Sequence, residues 1–211
     1  MMNRRTMIVE ELRKHAPFTL IGTASGVVLM FLFRNLPQET AHSLFYVFHP
    51  AHVVLSALVT ASMYRNYKCK TDAKKCNIFS VLLIGYVGAI GVATLSDSLI
   101  PYFGESLLGM HNHRVHIGFI EKWWLINPLA ILGITIAYFK PSTKFPHFGH
   151  VLLSTWASLF HVMMAKAPSA GLPFFLGVFF FLFIAVWLPC CISDIIFPLL
   201  FVRPEQKTTR R

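Results

Sequence analysis

Long apolar blocks alternate with short polar connections along this chain. Six such blocks can be read, and apolar residues fill them continuously instead of recurring as the narrow stripe of a soluble helix. A helix that crosses a membrane needs about 20 mainly apolar residues. The pattern therefore predicts an all-α integral membrane bundle of six transmembrane helices. The approximate bounds of the blocks are Pro17–Phe33, Ser43–Tyr64, Asn77–Phe103, Trp123–Phe139, Phe145–Ala165 and Leu172–Val202.

The composition agrees with lipid as the surrounding solvent. Of the 211 residues, 55% are hydrophobic and 13% are charged, whereas about a quarter of the residues in a soluble domain are charged. The net charge of +10 comes from Lys and Arg placed between the apolar blocks, and not from one clustered basic face of the kind that binds nucleic acid. We therefore expect membrane lipids, and no nucleic acid, among the partners of this protein.

The basic residues are distributed unevenly between the two predicted sides of the membrane. Fifteen lie in the two terminal tails and in the second and fourth connections, and four lie on the opposite side. Because Lys and Arg accumulate on the cytoplasmic side of a membrane protein, both termini are predicted to be cytoplasmic. All four cysteines then lie at or near the reducing side, so we expect ordinary free thiols. The cysteines are Cys69, Cys76, Cys190 and Cys191.

Two short motifs occur twice at nearly the same spacing. The segment His49–Ser56, H-P-A-H-V-V-L-S, is similar to His147–Ser154, H-F-G-H-V-L-L-S, with an offset of 98 residues. The segment Ser96–Pro101 is similar to Ser193–Pro198, with an offset of 97 residues. Two independent matches at one spacing indicate an internal repeat.

The repeat predicts the organisation of the whole chain. A unit of three spans crosses the membrane an odd number of times, so its second copy must insert upside down, as in the 3+3 inverted-topology repeats of many transporters. We expect the first repeat at residues 1–110, an extracytoplasmic loop at 111–122, the second repeat at 123–202 and a basic cytoplasmic tail at 203–211. A small bundle of this kind is also compatible with a homo-oligomer.

The repeated polar residues are of the types that bind divalent transition metals. Imidazole and carboxylate suit zinc, iron, manganese, cobalt and nickel, and a buried carboxylate needs a partner inside a membrane. The metal ligands predicted on this basis are His49, His52 and Asp97 near the outer side, and His147, His150 and Asp194 near the inner side. If each cluster lies about 10 Å below its surface, the two clusters are separated by roughly 10 Å, which favours two related sites over one merged site.

Further polar residues continue the same helix faces, because positions three, four and seven apart share one side of a helix. These predicted pathway residues are Ser56, Thr60, Ser96, Ser154, Ser158, His161 and Ser193. The outer loop adds His111, His113 and His116 as a possible metal-collecting group. A solvated loop or a pH sensor is the alternative interpretation of those three histidines.

Three functions remain open on the sequence. The first is a transporter or channel for a divalent transition metal, which the duplication of the polar site favours over an enzyme. The second is an intramembrane zinc-dependent lipid hydrolase, in which the metal activates water. The third is a metal-free proton or ion pathway, or a membrane assembly subunit. Heme is disfavoured, since axial histidines normally come from different helices and not from one His-x-x-His.

Overall fold

Helices account for nearly all of the residues that the computed structural model describes, which are 4–68, 77–111, 114–142, 144–165, 171–192 and 196–201. In chain order they are α1 Arg4–Leu32, α2 Gln38–Lys68, α3 Ile78–Thr94, a π-helical turn Leu95–Leu99, α4 Ile100–Leu107, α5 Gly118–Glu121, α6 Trp123–Phe139, α7 Lys144–Met164, α8 Leu172–Cys191 and α9 Phe197–Leu200. The all-α prediction is therefore confirmed.

Three stretches of helix are long and apolar enough to cross a membrane, namely Gln38–Asn66, Ile78–Leu107 and Leu172–Cys190. Three other apolar helices are shorter and cover Ala16–Leu32, Trp123–Phe139 and Phe148–Met164. Each of the six predicted blocks thus corresponds to an apolar helix. That all six cross the membrane stays a prediction.

The bundle combines an apolar surface with several buried polar groups, unlike a soluble protein. Large apolar side chains lie on the surface, for example Phe79 at 67% and Phe180 at 60% exposure, whereas Asp97 and His52 are completely buried. Apolar atoms facing outward need no water when lipid surrounds them, and polar groups avoid lipid by facing the interior. The arrangement is the one that a membrane protein requires.

Helices α2 and α7 pack against each other more extensively than any other pair. They are antiparallel, because the ring of Phe45 contacts that of His161 while the ring of His52 contacts that of His150. The fully buried Ala157 lies in this interface, where a small side chain lets two helices approach closely. The two helices that carry the repeated histidine motif therefore form the centre of the bundle.

The outer helices are exchanged between the two halves of the chain. Helix α1, from the first half, packs against α7 and α8, whereas α6, from the second half, packs against α2 and α3. The α2–α6 contact is especially close, since a Cβ atom on Gly133 would overlap the backbone carbonyl of Val54. Each half thus encloses the central helix of the other.

A π-helical turn interrupts the third apolar helix at the first Ser-Asp motif. The backbone N–H of Ile100 donates to the carbonyl of Leu95, five residues back, and the enclosed Ser96, Asp97 and Ser98 are fully buried. Ile192 and Ile196, on either side of the second Ser-Asp motif, are also π-helical, although residues 193–195 lie outside the described part of the chain. Such turns often occur at functional sites.

Candidate metal centre

The carboxylate of Asp97 is the centre of the largest buried polar network in the described residues. One oxygen, Oδ2, lies 2.9 Å from Nδ1 of His49 and 2.7 Å from Nδ1 of His52. The other, Oδ1, accepts from Ser96 Oγ at 2.6 Å and from Ser154 Oγ at 2.8 Å. Two oxygens with four partners leave this carboxylate fully hydrogen-bonded.

These contacts determine which imidazole atoms can bind a ligand. An ionised carboxylate only accepts hydrogen bonds, so Nδ1 of His49 and Nδ1 of His52 must each carry a proton. In a neutral imidazole the lone pair is then on Nε2. The Nε2 atom of His52 is buried and has no hydrogen-bond partner among the described residues. A carboxylate behind a histidine is the usual arrangement that orients a metal ligand, so Asp97 is better suited to position the imidazoles than to bind a metal itself.

Side chains from the second half of the chain complete the Asp97 network. Ser154 contacts Ser96 Oγ at 3.2 Å as well as the carboxylate, and Ser158, one helical turn later on α7, donates to the Ser96 carbonyl at 2.8 Å. The predicted inner residues Ser154 and Ser158 therefore belong to the same network as the predicted outer residue Asp97. The two halves share one site at this level of the bundle.

The central group of possible metal ligands consists of His52, His150 and Cys190. Their ligand atoms lie within 4.8 Å of one another, and all three side chains are buried. The ring centroids of His52 and His150 are 5.4 Å apart. Bonds of 2.0–2.3 Å in tetrahedral geometry place ligand atoms roughly 3.3–3.8 Å apart, so a small inward movement would close this group around an ion.

This geometry differs from the expected separation of the two histidine motifs. His52 and His150 are equivalent positions in the repeat, and they face each other instead of lying roughly 10 Å apart. The reason is that α2 and α7 cross antiparallel with the second histidine of each motif at their crossing point. Cys190 was expected to be an ordinary thiol, and its place in the group is visible only once α8 packs beside α7.

A second buried contact between a histidine and a carboxyl group lies beyond the Asp97 network. His161 Nδ1 is 2.7 Å from Glu105 Oε1, and both side chains are 1% exposed. Glu105 lies two residues beyond the end of the third predicted block at Phe103, and it was not among the predicted site residues, whereas His161 was. A signal was present, because Glu105 comes two helical turns after Asp97.

A third polar group lies at the end of the bundle where α2 begins and α7 ends, called here the Gln38 end. It contains His42, His116 and Glu121, whose ligand atoms lie within 4.8 Å of one another. Burial raises the pKa of the Glu121 carboxyl, but hydrogen bonds from Tyr46 and His116, the charge on His116 and the Ile117 N–H together hold it below its usual value. Glu121 is therefore an anion at neutral pH.

Phe45 separates this third group from the centre. Its ring stacks on His49 at a centroid distance of 5.0 Å and an interplanar angle of 10°, and it contacts His161 edge-on at 5.6 Å. His116 lies 6.3 Å away on another side of the ring. The Phe45 ring thus lies between His116 and His49.

The remaining predicted residues are placed as follows. Ser56 and Thr60 are buried on α2, and Ser56 Oγ has no hydrogen-bond partner among the described residues. His111 is exposed, and His116 joins His42 and Glu121 instead of its neighbours in the loop. The predictions for the side chain of His147 and for Ser193, Asp194 and His113 fall outside the described part of the chain.

Comparison of the chain with known protein families, curated proteins and solved structures finds no match. The site itself defines only a class, which is a helical protein with spans suited to a membrane and with buried groups of histidine, cysteine and carboxylate.

Proposed function

We propose that this protein is a membrane transporter or channel for a divalent transition-metal cation, with His52, His150 and Cys190 as its central ion site. The observation that carries the proposal is that these three ligand residues, two histidines and one cysteine, lie buried together where α8 packs beside the crossing of α2 and α7. Three protein ligands leave a fourth coordination position open for water or for an incoming ligand, as exchange of an ion requires.

The donor set narrows the choice of ion. A thiolate with two imidazoles suits zinc or cobalt better than manganese, which prefers oxygen ligands. Asp97 supports this site by fixing His52 with its Nε2 atom as the acceptor. Among the ions expected from the sequence, zinc and cobalt are therefore the best candidates for transport.

The fold supplies features that transport needs. Two observations support the predicted 3+3 inverted repeat of the two halves. Helices α1 and α6 are exchanged between the halves, and π-helical residues occur at both Ser-Asp motifs. In such proteins the site lies near the membrane midplane and opens to one side at a time. The predicted orientation places the Gln38 end on the outer side, from which Phe45 closes the central site.

The test is uptake of Zn²⁺ into proteoliposomes by the purified protein, with bound metal measured by elemental analysis. Cys190→Ser and Asp97→Asn should each lower uptake by more than about tenfold, because even a partner behind a ligand is worth 10–100-fold in affinity. Cys191→Ser is the matched control for the thiol, and its uptake should equal that of the wild type. Equal uptake by all four proteins would exclude the central site as the ion path.

A metal-free proton pathway is the second candidate, because the buried Glu105–His161 pair extends the polar groups towards the Gln38 end. It predicts a proton flux that Glu105→Gln abolishes and Cys190→Ser leaves unchanged. The same proteoliposomes, loaded with a pH indicator and free of transition metal, distinguish the two functions. The lipid hydrolase is less compatible with the site, since a lipid carbonyl cannot reach side chains that are fully buried.

A further inference from the structure

Three side chains at the Gln38 end form a group that is separate from the central site. His42 lies near the start of α2, while His116 and Glu121 come from the segment that precedes α6. His42 and His52 are ten residues apart on α2, which places them roughly 15 Å apart along the helix axis. One ion therefore cannot be shared between the two groups.

The geometry of this group suits a metal. His116 Nδ1 and Glu121 Oε2 are 3.1 Å apart, close to the roughly 3.4 Å between two ligand atoms in a tetrahedral site. The rings of His42 and His116 lie 5.3 Å apart. One ligand atom of each of the three residues lies within 4.8 Å of the other two, so a metal between them would need only a small inward movement of His42.

Local contacts hold the carboxylate in place. Tyr46 of α2 donates to Glu121 Oε2, and the backbone N–H of Ile117 donates to Oε1 at 3.1 Å. These bonds orient the carboxylate before a metal arrives, which lowers the cost of binding. Lys122 lies over the Tyr46 ring at 5.5 Å, so its positive charge weakens the attraction for a cation.

The group also has access to solvent and a route inward. His42 and His116 line an open cavity of about 700 Å³ together with Gln38, Glu39, Ser43, Arg114 and Met164. On the inner side, His116 lies 5.7 Å from His161, whose Nε2 atom is buried and has no hydrogen-bond partner among the described residues. An ion could therefore enter from the cavity and meet a further imidazole deeper in the bundle.

We propose that His42, His116 and Glu121 form a second metal site for divalent zinc, cobalt or iron. Two imidazoles and one carboxylate are the ligand set of open zinc sites and of iron(II) sites. The site lacks sulfur, which distinguishes it chemically from the central group. It does not depend on the proposed transport, because metal can bind here whether or not it moves further.

Cobalt titration of the full-length protein in detergent micelles tests the proposal. Cobalt gives visible absorption in either site, but a thiolate-to-cobalt band in the near ultraviolet requires a cysteine ligand, which the central group has in Cys190 and the group of His42, His116 and Glu121 lacks. We expect two Co²⁺ per chain in the wild type. His42→Ala and Glu121→Gln should remove one Co²⁺, or weaken it more than about tenfold, and leave the thiolate band unchanged.

Glu39→Gln is the matched control, because it removes an exposed carboxylate that lines the same cavity but does not belong to the group of His42, His116 and Glu121. Glu121→Gln retains an oxygen that can accept from Tyr46, so loss of metal in that variant cannot be attributed to loss of this hydrogen bond. If His42→Ala and Glu121→Gln bind two Co²⁺ as tightly as Glu39→Gln, the second site is excluded. If the thiolate band is missing while the other Co²⁺ binds, the central site fails and the second site stands.

Discussion

At the scale of single residues, the site depends on how completely one carboxylate is hydrogen-bonded. Asp97 has four partners, and two of them are imidazoles whose other nitrogen atoms then face away from it. An unpaired carboxylate in a membrane would cost about 3 kcal/mol or more. Burial of Asp97 is tolerated because Ser154, from the other half of the chain, donates the fourth hydrogen bond to its carboxylate.

The His49 ring, which contacts Asp97, occupies space that is available only because residue 118 is a glycine. A Cβ atom built on Gly118 would overlap the His49 ring, and overpacking of this kind costs about 1–3 kcal/mol. Gly118→Ala should therefore lower the free energy of unfolding by about that amount, measured by thermal unfolding in detergent. Gly91→Ala, where a Cβ meets no atom within 4 Å, is the control and should change it little.

A double substitution separates this clash from other effects at Gly118. With the ring removed, Gly118→Ala should cost nothing further in a His49→Ala background, because the two changes share one contact. An additive loss of stability in the double variant would show that Gly118 acts through something other than His49.

At the scale of elements, the π-helical turn places Ser96, Asp97 and Ser98 in the interior. A π turn contains one residue more than the α-helix that would span the same length, so deletion of one residue can restore a regular helix. Deletion of Leu95, which is 44% exposed, should keep α3 and α4 packed while it moves Asp97 away from His52. We expect an unchanged helical circular-dichroism spectrum and a loss of central metal affinity of more than about tenfold.

Leu95→Ala is the control for this deletion, since it removes the side chain and leaves the backbone turn unchanged. Retained metal affinity in the deletion variant would mean that the turn contributes nothing to the site.

The sequence predicted elements better than it predicted contacts between them. The fourth block and α6 have the same bounds, and the fifth differs from α7 by one residue at each end, because apolar length alone defines a helix in lipid. The pairing of Asp97 with His49 and His52 also followed from the buried charge. The proximity of His42 to Glu121 and of Cys190 to His52 was not predicted, since it depends on which helices pack together and no local pattern encodes that.

At the scale of the whole molecule, the distribution of basic residues predicts the orientation in the membrane. Fifteen of the nineteen basic residues lie in segments predicted to be cytoplasmic, and basic residues resist transfer across the membrane. Arg114→Thr creates the glycosylation acceptor Asn-His-Thr in the outer loop, and Pro141→Asn creates Asn-Ser-Thr in the fourth connection. In a eukaryotic membrane, only the first variant should gain a glycan, detected as a shift in gel mobility.

The reverse pattern, with a glycan only on the Pro141→Asn variant, would invert the orientation and place the Gln38 end in the cytoplasm. A glycan on both variants would contradict the six-span topology itself.

His52 and His150 face each other from the two halves of the chain. In the proposed function, a cation held between them takes one nitrogen from each half, so metal loading joins α2 to α7 in addition to their side-chain packing. Removing the ion with a chelator would remove this link between α2 and α7. A chain cleaved in the connection between α4 and α6 should consequently remain a single particle longer in zinc than in chelator.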